Sequence, residues 1–333
     1  MDAEETVEPD IELSIVVPLY NEEGNVAPLC AEIADVMGEE RTSYELLLVD
    51  DGSTDATLPE AREAIDGHER GRVVELRRNY GKSAALNAGF DHARGRVVVT
   101  MDGDGQNDPR DIPPLVERLN EGYDVVSGWR QHRKENFVRL VPSHIANRLI
   151  GWITDVRLHD YGCCLKAYRA SVLEDIRLYG EMHRFVPALI KWVGGEVSER
   201  PVNDRPRHAG KSKFNSLGRT VEVLLDLGTV KFMMHYLTKP LYFFGRIGLL
   251  LMFMAFTVLG VVVGMKVGYG NDMTGNPLLY LSITFLILSV QIFLMGLIME
   301  ILTRTYHESQ DRKMYAVRRV HRAGGEDDGG GRD

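Results

Sequence analysis

The chain has 333 residues, 44% of them hydrophobic and 26% charged, so it can hold one sizeable folded domain plus a smaller one and is not a disordered polymer. Its net charge of -9 provides no global basic field and argues against nucleic acid as a partner. Cys30 and the adjacent Cys163 and Cys164 offer neither a disulfide framework nor the C-x-x-C spacing of a zinc site, which fits a reducing cytoplasm.

Residues 1–10 read as a solvated acidic tail with no signal peptide. A first strand is expected over Ile11 to Leu19, then a helix over Asn25 to Met37 with apolar residues at helical spacing. Further strands are expected over Tyr44 to Val49, Arg72 to Leu76 and Arg96 to Met101, separated by helices over Thr57 to Ile65 and Ser83 to Ala93. This alternation predicts an α/β fold with a mostly parallel sheet and helices on both faces. A helix over Arg110 to Leu119 and a short strand over Tyr123 to Ser127 follow. The pattern then gives an amphipathic helix over Arg139 to Thr154, a helix over Glu181 to Val193 and a last strand over Glu196 to Pro201.

From Phe214 the character changes. Residues 214–240 read as an interfacial amphipathic region, because Arg219, Glu222, Asp226 and Lys231 interrupt apolar runs. Ile247 to Met265 and Leu278 to Met299 carry no charge and approach the ~20 residues a membrane span needs. Basic residues flank both outer ends (Lys231, Lys239 and Arg246; Arg304, Arg312 and Lys313), so the positive-inside rule puts both termini in the cytoplasm. Residues 304–333 read as a basic tail that ends in a disordered stretch.

The chemistry concentrates where the expected strands end, which is where ligands bind in open α/β sheets. Asp102-Gly103-Asp104-Gly105-Gln106 follows a run of β-branched residues. Two carboxylates and an amide oxygen at alternate positions make a hard-oxygen set suited to Mg²⁺ or Mn²⁺, and such an ion would hold a diphosphate. The competing reading is a polar turn, since Asp and Gly favour turns in their own right. Asp51, at the end of the second strand, could accept from a nucleotide's base or ribose. Glycoside hydrolysis ranks below transfer, because Asp102 and Asp104 lie too close on one loop to flank a sugar. Arg207, Lys211 and Lys213, interleaved with Gly210 and Ser212, lie before the interfacial region and suit a lipid phosphate. A polybasic patch that only attracts anionic lipid is the plainer alternative.

Several ordered motifs carry a family resemblance. They are Pro18-x-Tyr20-Asn21-Glu22, Asp50-Asp51-Gly52-Ser53-x-Asp55, Gly81-Lys82, Asp102-x-Asp104-x-Gln106 and Arg207-His208-x-Gly210-Lys211-Ser212-Lys213. Together with the apolar hairpin they resemble family 2 glycosyltransferases of the GT-A fold, in the branch of dolichol-phosphate mannose synthase and GtrB-like enzymes. The resemblance spans about residues 11 to 300 and implies a GT-A domain over residues 11–213 followed by the hairpin within residues 241–303. It implies transfer from a UDP- or GDP-linked sugar to a polyprenyl phosphate, undecaprenyl or dolichyl. Pro18, Tyr20, Asn21, Glu22, Val49, Asp51, Ser53, Lys82, Asp102 and Gly103 would bind the nucleotide sugar. Asp102, Asp104 and Gln106 would hold the metal. Arg130, Arg139, Ser143, Lys166, Arg207, Lys211, Ser212 and Lys213 would receive the lipid phosphate, with Asp102, Asp104, Asp160 and Arg207 catalytic.

Asp160 and Lys166 match the ends of the family's D-x-x-x-G-F-R pattern, but Cys164-Leu165 stands where that pattern has Gly-Phe. The His159-Asp160-Tyr161-Gly162-Cys163 run is similar to the aminoarabinose transferase group, while Glu181-Met182-His183-Arg184-Phe185 looks more GtrB-like. His183 and Arg184 also fit a plain surface pair at a helix start. A processive polysaccharide synthase is the alternative within the fold; its Q-x-x-R-W motif is missing around Trp129, Trp152 and Trp192. A membrane scaffold with a decayed domain is the non-enzymatic alternative, and a homo-oligomer is compatible with either.

Overall fold

The structure is a computed structural model that describes residues 11–40, 42–131, 151, 154, 156–174, 176–178, 180, 182–206, 240–269, 275–308 and 315–323. The expected interfacial helix and the Arg207–Lys213 loop lie outside these residues, as do most of the amphipathic helix after Arg139 and residues 324–333 of the tail. The chain divides into an α/β unit, residues 1–228 and 313–333, and a helical unit, residues 229–312.

The α/β unit is built on eight strands: β1 (Leu13–Leu19), β2 (Tyr44–Asp50), β3 (Gly71–Leu76), β4 (Val97–Thr100), β5 (Val125–Arg130), β6 (Lys166–Arg169), β7 (Val197–Val202) and β8 (Val317–Arg322). They form one sheet in the order β7-β5-β6-β4-β1-β2-β3-β8. β1, β2, β3 and β4 pair in parallel, and β5 pairs in parallel with β7. β6 is antiparallel to both β4 and β5, and β8 is antiparallel to β3. The mostly parallel sheet expected from the strand–helix alternation is present, made mixed by two reversed strands. Neither carries a strand signal in the sequence. β6 opens with Lys166, and β8 is Val-Arg-Arg-Val-His-Arg, half of it arginine. Tertiary pairing makes both into strands, so residues 317–322 are part of the folded sheet rather than of a tail.

Two layers of helix cover the sheet. On one face α1 (Val26–Glu40) buries Val26, Leu29, Cys30, Ile33 and Met37, a stripe at helical spacing. These pack with Ile112, Leu115 and Leu119 of α4 (Ile112–Asn120) against Leu13, Ile15, Val17 and Leu19 of β1. The opposite face belongs to α3 (Lys82–His92), which is buried continuously from Ser83 to Gly89. Its small side chains are a packing requirement, since a Cβ on Gly89 would lie 2.2 Å from Val16 Cγ1. α2 (Thr57–Ile65) links β2 to β3, and the short helices α5 (Ala170–Leu173) and α6 (Val186–Trp192) follow β6. Because α3 lies flat on β1, its N-terminus opens at the C-terminal ends of β1 and β4.

The helical unit is a pair, α7 (Pro240–Tyr269) and α8 (Pro277–Glu308). Apolar stretches of 28 and 26 residues, with mean hydropathies of 2.5 and 2.4, are long enough to cross a membrane. The helices meet closely: Ser289 Oγ donates to Gly248 O at 2.9 Å, and a Cβ on Gly296 would lie 2.8 Å from Phe244 Cβ. Their remaining faces expose large apolar side chains such as Phe253, Phe256, Ile287 and Ile298. A soluble core helix buries such groups, so these faces fit a lipid environment better than water.

Candidate active site

The loops at the C-terminal ends of the strands are tied to one another, and those ties assemble the site. Pro18 pairs with Val49 and Leu19 with Asp50 across β1 and β2, and Asp51 N donates to Leu19 O at 2.8 Å. After β1, Asn21 takes a left-handed conformation with φ 52°. Its N–H donates to Ser53 Oγ at 3.0 Å, and Thr54 N donates back to Asn21 Oδ1 at 2.8 Å. Glu22 N donates to Thr57 Oγ1 at 2.8 Å. The Asn-Glu and Asp-Gly-Ser motifs therefore form one double loop, with Tyr20 exposed at its edge.

Asp51 reaches the next loop. Its two carboxylate oxygens accept from Tyr80 N at 2.7 Å and Gly81 N at 2.9 Å, so it fixes the entry to α3. Gly52, at φ +66°, has to be glycine here, since a Cβ would lie 2.4 Å from the Arg78 carbonyl carbon. Burial raises the Asp51 carboxyl above its usual range, against the lowering effect of those N–H groups. Asp51 thus braces the loop that leads into α3, with an N–H group on each of its oxygens. Val49 is fully buried and can offer a ligand only its backbone.

α3 begins at Lys82, and its ammonium reaches across to Asp102 Oδ1 in a close ion pair. The same Nζ lies 2.8 Å from Cys164 Sγ, which comes from the loop before β6. Thr100 Oγ1 donates to Cys164 O at 2.8 Å and ties that loop to β4. Burial alone would raise the Asp102 carboxyl, but the Lys82 ammonium and the Cys164 contact outweigh it and hold it at about 2. Burial likewise opposes charge on Lys82, and Asp102 reverses the balance and pushes its pKa up. Gly103 turns under the end of β1, where a Cβ would strike Leu19 Cδ2 at 2.4 Å. Asp102 N donates to Asn107 Oδ1 at 3.0 Å. Asp104 is buried, with Oδ1 accepting from Gln106 N at 3.1 Å. The acidic loop is thus held by its own side chains, as a turn would be, while presenting the partly exposed Asp102 carboxylate. Among the described residues no cluster of three or more His, Cys, Asp or Glu side chains forms a metal cage. Asp102, Asp104 and Gln106 supply the residue types that a divalent ion takes, with the Asp102 side chain the partly exposed one.

On the other side of the site, Arg130 at the end of β5 forms a two-pronged pair with Asp160: Nε to Oδ2 at 2.7 Å and Nη2 to Oδ1 at 3.2 Å. Both side chains are largely buried. The two residues that the family resemblance assigned to acceptor phosphate and catalysis are therefore each other's counter-ion. Lys166 is buried, with Nζ donating to the Cys163 carbonyl, and so braces the 160–165 loop. Arg139, Ser143, Arg207, Lys211, Ser212 and Lys213 lie outside the described residues.

His183 sits on the 3₁₀ turn Met182–Arg184, with Nδ1 3.1 Å from Ser83 Oγ on α3. Burial, followed by the Lys82, Arg184 and Lys166 charges, pushes its pKa well below the usual 6.5. It is part of the site wall and not a plain surface pair with Arg184. Cys164 and Asn107 were missed as site residues. Asn107 follows Gln106 directly and could have been found as a side chain able to close an acidic turn. Cys164 is marked in the sequence only as a departure from the D-x-x-x-G-F-R pattern, and its contact with Lys82 is hidden by their distance along the chain.

Residues 14–177 match the glycosyl transferase family 2 domain. The chain is 45% identical over 318 residues, 93% of each chain, to the dodecaprenyl-phosphate galacturonate synthase of Rhizobium johnstonii. It is 35% identical over 314 residues, 93% of this chain and 91% of the other, to the undecaprenyl-phosphate 4-deoxy-4-formamido-L-arabinose transferase of Pseudomonas aeruginosa. Among solved structures it resembles glucosyl-3-phosphoglycerate synthase from Mycobacterium tuberculosis in complex with Mn²⁺, UDP and phosphoglyceric acid. That likeness has a TM-score of 0.52 at 20% identity and covers 65% of this chain and 78% of the other. A likeness at that identity speaks for the fold, which is that of GT-A enzymes; the two sequence relatives, matched nearly end to end, speak for the family. The chain belongs to glycosyl transferase family 2 and is a glycosyltransferase of the GT-A fold.

Proposed function

We propose that this glycosyltransferase moves a sugar from a nucleoside-diphosphate donor to a polyprenyl phosphate, with inversion at the anomeric carbon. A lipid-phosphate oxygen attacks that carbon, the bond to the diphosphate breaks, and the nucleoside diphosphate departs. The phosphate nucleophile is ionised at neutral pH, so a strong general base is not required. The observation that carries this reading is the convergence of Asp51, Lys82 and Asp102 at one sheet edge in a chain that also holds two membrane-length apolar helices. A soluble acceptor gives no reason for such helices. The galacturonate and formamido-arabinose relatives, both named for prenyl-phosphate acceptors, support the same class over a processive synthase.

Within this reading, the double loop around Asn21 and Ser53 takes the nucleotide, and Asp102, Asp104 and Gln106 hold Mg²⁺ or Mn²⁺. When bound, the ion neutralises charge growing on the departing diphosphate. Arg130 and the basic residues Arg207, Lys211 and Lys213 are the candidates for the acceptor phosphate, while Lys166 braces the 160–165 loop. The chain leaves the α/β unit for the hairpin and returns to it at β8, so two crossings leave both outer ends on one membrane side. With the flanking bases, this supports a cytoplasmic catalytic unit.

The test is transfer of labelled sugar by the purified chain in detergent with Mg²⁺ or Mn²⁺ and polyprenyl phosphate. A UDP-linked uronic acid is the first donor to try, given the identity with the galacturonate synthase. A β-linked lipid product from an α-linked donor is expected. Asp102→Asn should lower turnover by at least about 100-fold, as loss of a group that organises developing charge does. No lipid-linked product from any common UDP- or GDP-sugar would overturn the proposal.

A further inference from the structure

Asp102 has to meet two demands. It is the partly exposed carboxylate that a divalent ion beside the donor would use, yet its Oδ1 is already in contact with a cation from the chain itself. Lys82 is held there from two sides. It is the first residue of α3, a helix fixed against β1 by the Gly89–Val16 contact, and its ammonium also lies 2.8 Å from Cys164 Sγ. Asp102 is held in turn by Asn107 Oδ1 on its backbone N–H at 3.0 Å. The pair thus joins three separate segments, and neither partner is a surface side chain free to take many positions. An ammonium and a divalent cation repel each other, so an ammonium in contact with Asp102 Oδ1 weakens the binding of a metal ion to the same carboxylate.

We propose that Lys82 is a built-in counter-cation for Asp102 that disfavours metal binding in the donor-free enzyme, and that the donor's diphosphate draws Lys82 away so that metal and nucleotide bind as a couple. The inference rests on the reading of Asp102 and Asp104 as metal ligands. A diphosphate carries more negative charge than one carboxylate and offers the Lys82 ammonium several acceptor oxygens in place of one. With Lys82 on the diphosphate, Asp102 Oδ1 is released. Nucleotide then strengthens metal binding and metal strengthens nucleotide binding by the same factor, as linkage requires. The arrangement also keeps the Asp102 carboxylate paired between turnovers.

The full chain in detergent is titrated with Mn²⁺, and the free ion is followed by electron paramagnetic resonance, without nucleotide and with saturating UDP or GDP. Wild type, Lys82→Met, Lys82→Arg and Cys164→Ala are compared, with thermal melts to establish folding. Lys82→Met is expected to bind Mn²⁺ without nucleotide at least about fivefold tighter than wild type, the lower end of ordinary site–site coupling. The factor by which nucleotide tightens Mn²⁺ should shrink to match, and Lys82→Arg should keep the wild-type pattern. Cys164→Ala loosens Lys82 from its other side, so it should shift nucleotide-free affinity in the same direction by less. It carries the test if Lys82→Met does not fold. Unchanged or weaker nucleotide-free affinity in the folded variants, while nucleotide-dependent Mn²⁺ binding persists, overturns the role of Lys82 alone. Absence of Mn²⁺ binding by wild type even with nucleotide removes the metal reading of Asp102 and Asp104, and this inference falls with it.

Discussion

The two halves of the sheet hold their loops by different means. In the parallel half, from β3 to β4, side chains accept from backbone N–H groups: Asp51 from Tyr80 and Gly81, Ser53 from Asn21, Asn107 from Asp102. In the half made by β6, β5 and β7, charge pairing is added to such bonds: Asp160 accepts from Gly162 N and is also clasped by Arg130, and the Lys166 ammonium sits on the Cys163 carbonyl. Backbone-directed bonds fix a loop's path and tolerate a ligand change above it. Buried charge pairs depend on each other, because removing one partner strands the other in a poorly solvated place. The Lys82–Asp102–Cys164 cluster lies on the seam, with two members from the parallel half and one from the other.

The largest difference should appear when one half loses a charge. Arg130→Ala removes the guanidinium that balances the buried Asp160 charge and should cost about 3–5 kcal/mol of stability, measured by chemical denaturation in detergent. A loss near zero would mean that water reaches Asp160, and the contrast between the halves would fail. Asp51→Asn keeps one acceptor oxygen but turns an amide NH₂ toward the second N–H. A smaller loss of about 1–3 kcal/mol is expected, with weaker nucleotide binding as the α3 entry loosens. If Asp51→Asn costs more than Arg130→Ala, the ranking is wrong.

The smallest effect concerns His183, next to the seam. Its pKa in the fold lies well below the unfolded value near 6.5, so it stays neutral while the unfolded chain gains a proton. The unfolded state then binds more protons, and stability falls as pH drops below about 6.5 toward the folded pKa. The slope is at most one proton's worth, ~1.4 kcal/mol per pH unit. His183→Gln should flatten that part of the curve. Persistence of the full slope would assign it to other groups.

Much of this was legible in the residues. The β-branched runs and alternating helices gave β1 to β4 within a residue or two, because a buried parallel strand needs apolar side chains on both faces. Acidic and polar motifs at strand ends marked the site, since loops there converge whatever their sequence. β6 and β8 were not legible: each has cationic residues where strand signals call for apolar ones, and each forms because an open sheet edge or gap offers it a ladder. Asp51 reads as a ligand-binding group, and the fold adds a second role in holding a loop, which depends on Tyr80 and Gly81 lying within reach.

The alternation of β1 to β4 with their helices, the apolar hairpin and the residue types able to bind a diphosphate were determined by the sequence alone, because periodicity, hydropathy and donor chemistry are local properties. Which groups share a partner was decided only by the tertiary structure. Lys82 meets Asp102 and Cys164, Arg130 meets Asp160, and residues beyond the hairpin return to β3. Such pairings depend on where distant segments cross, and no local pattern in the chain encodes that distance.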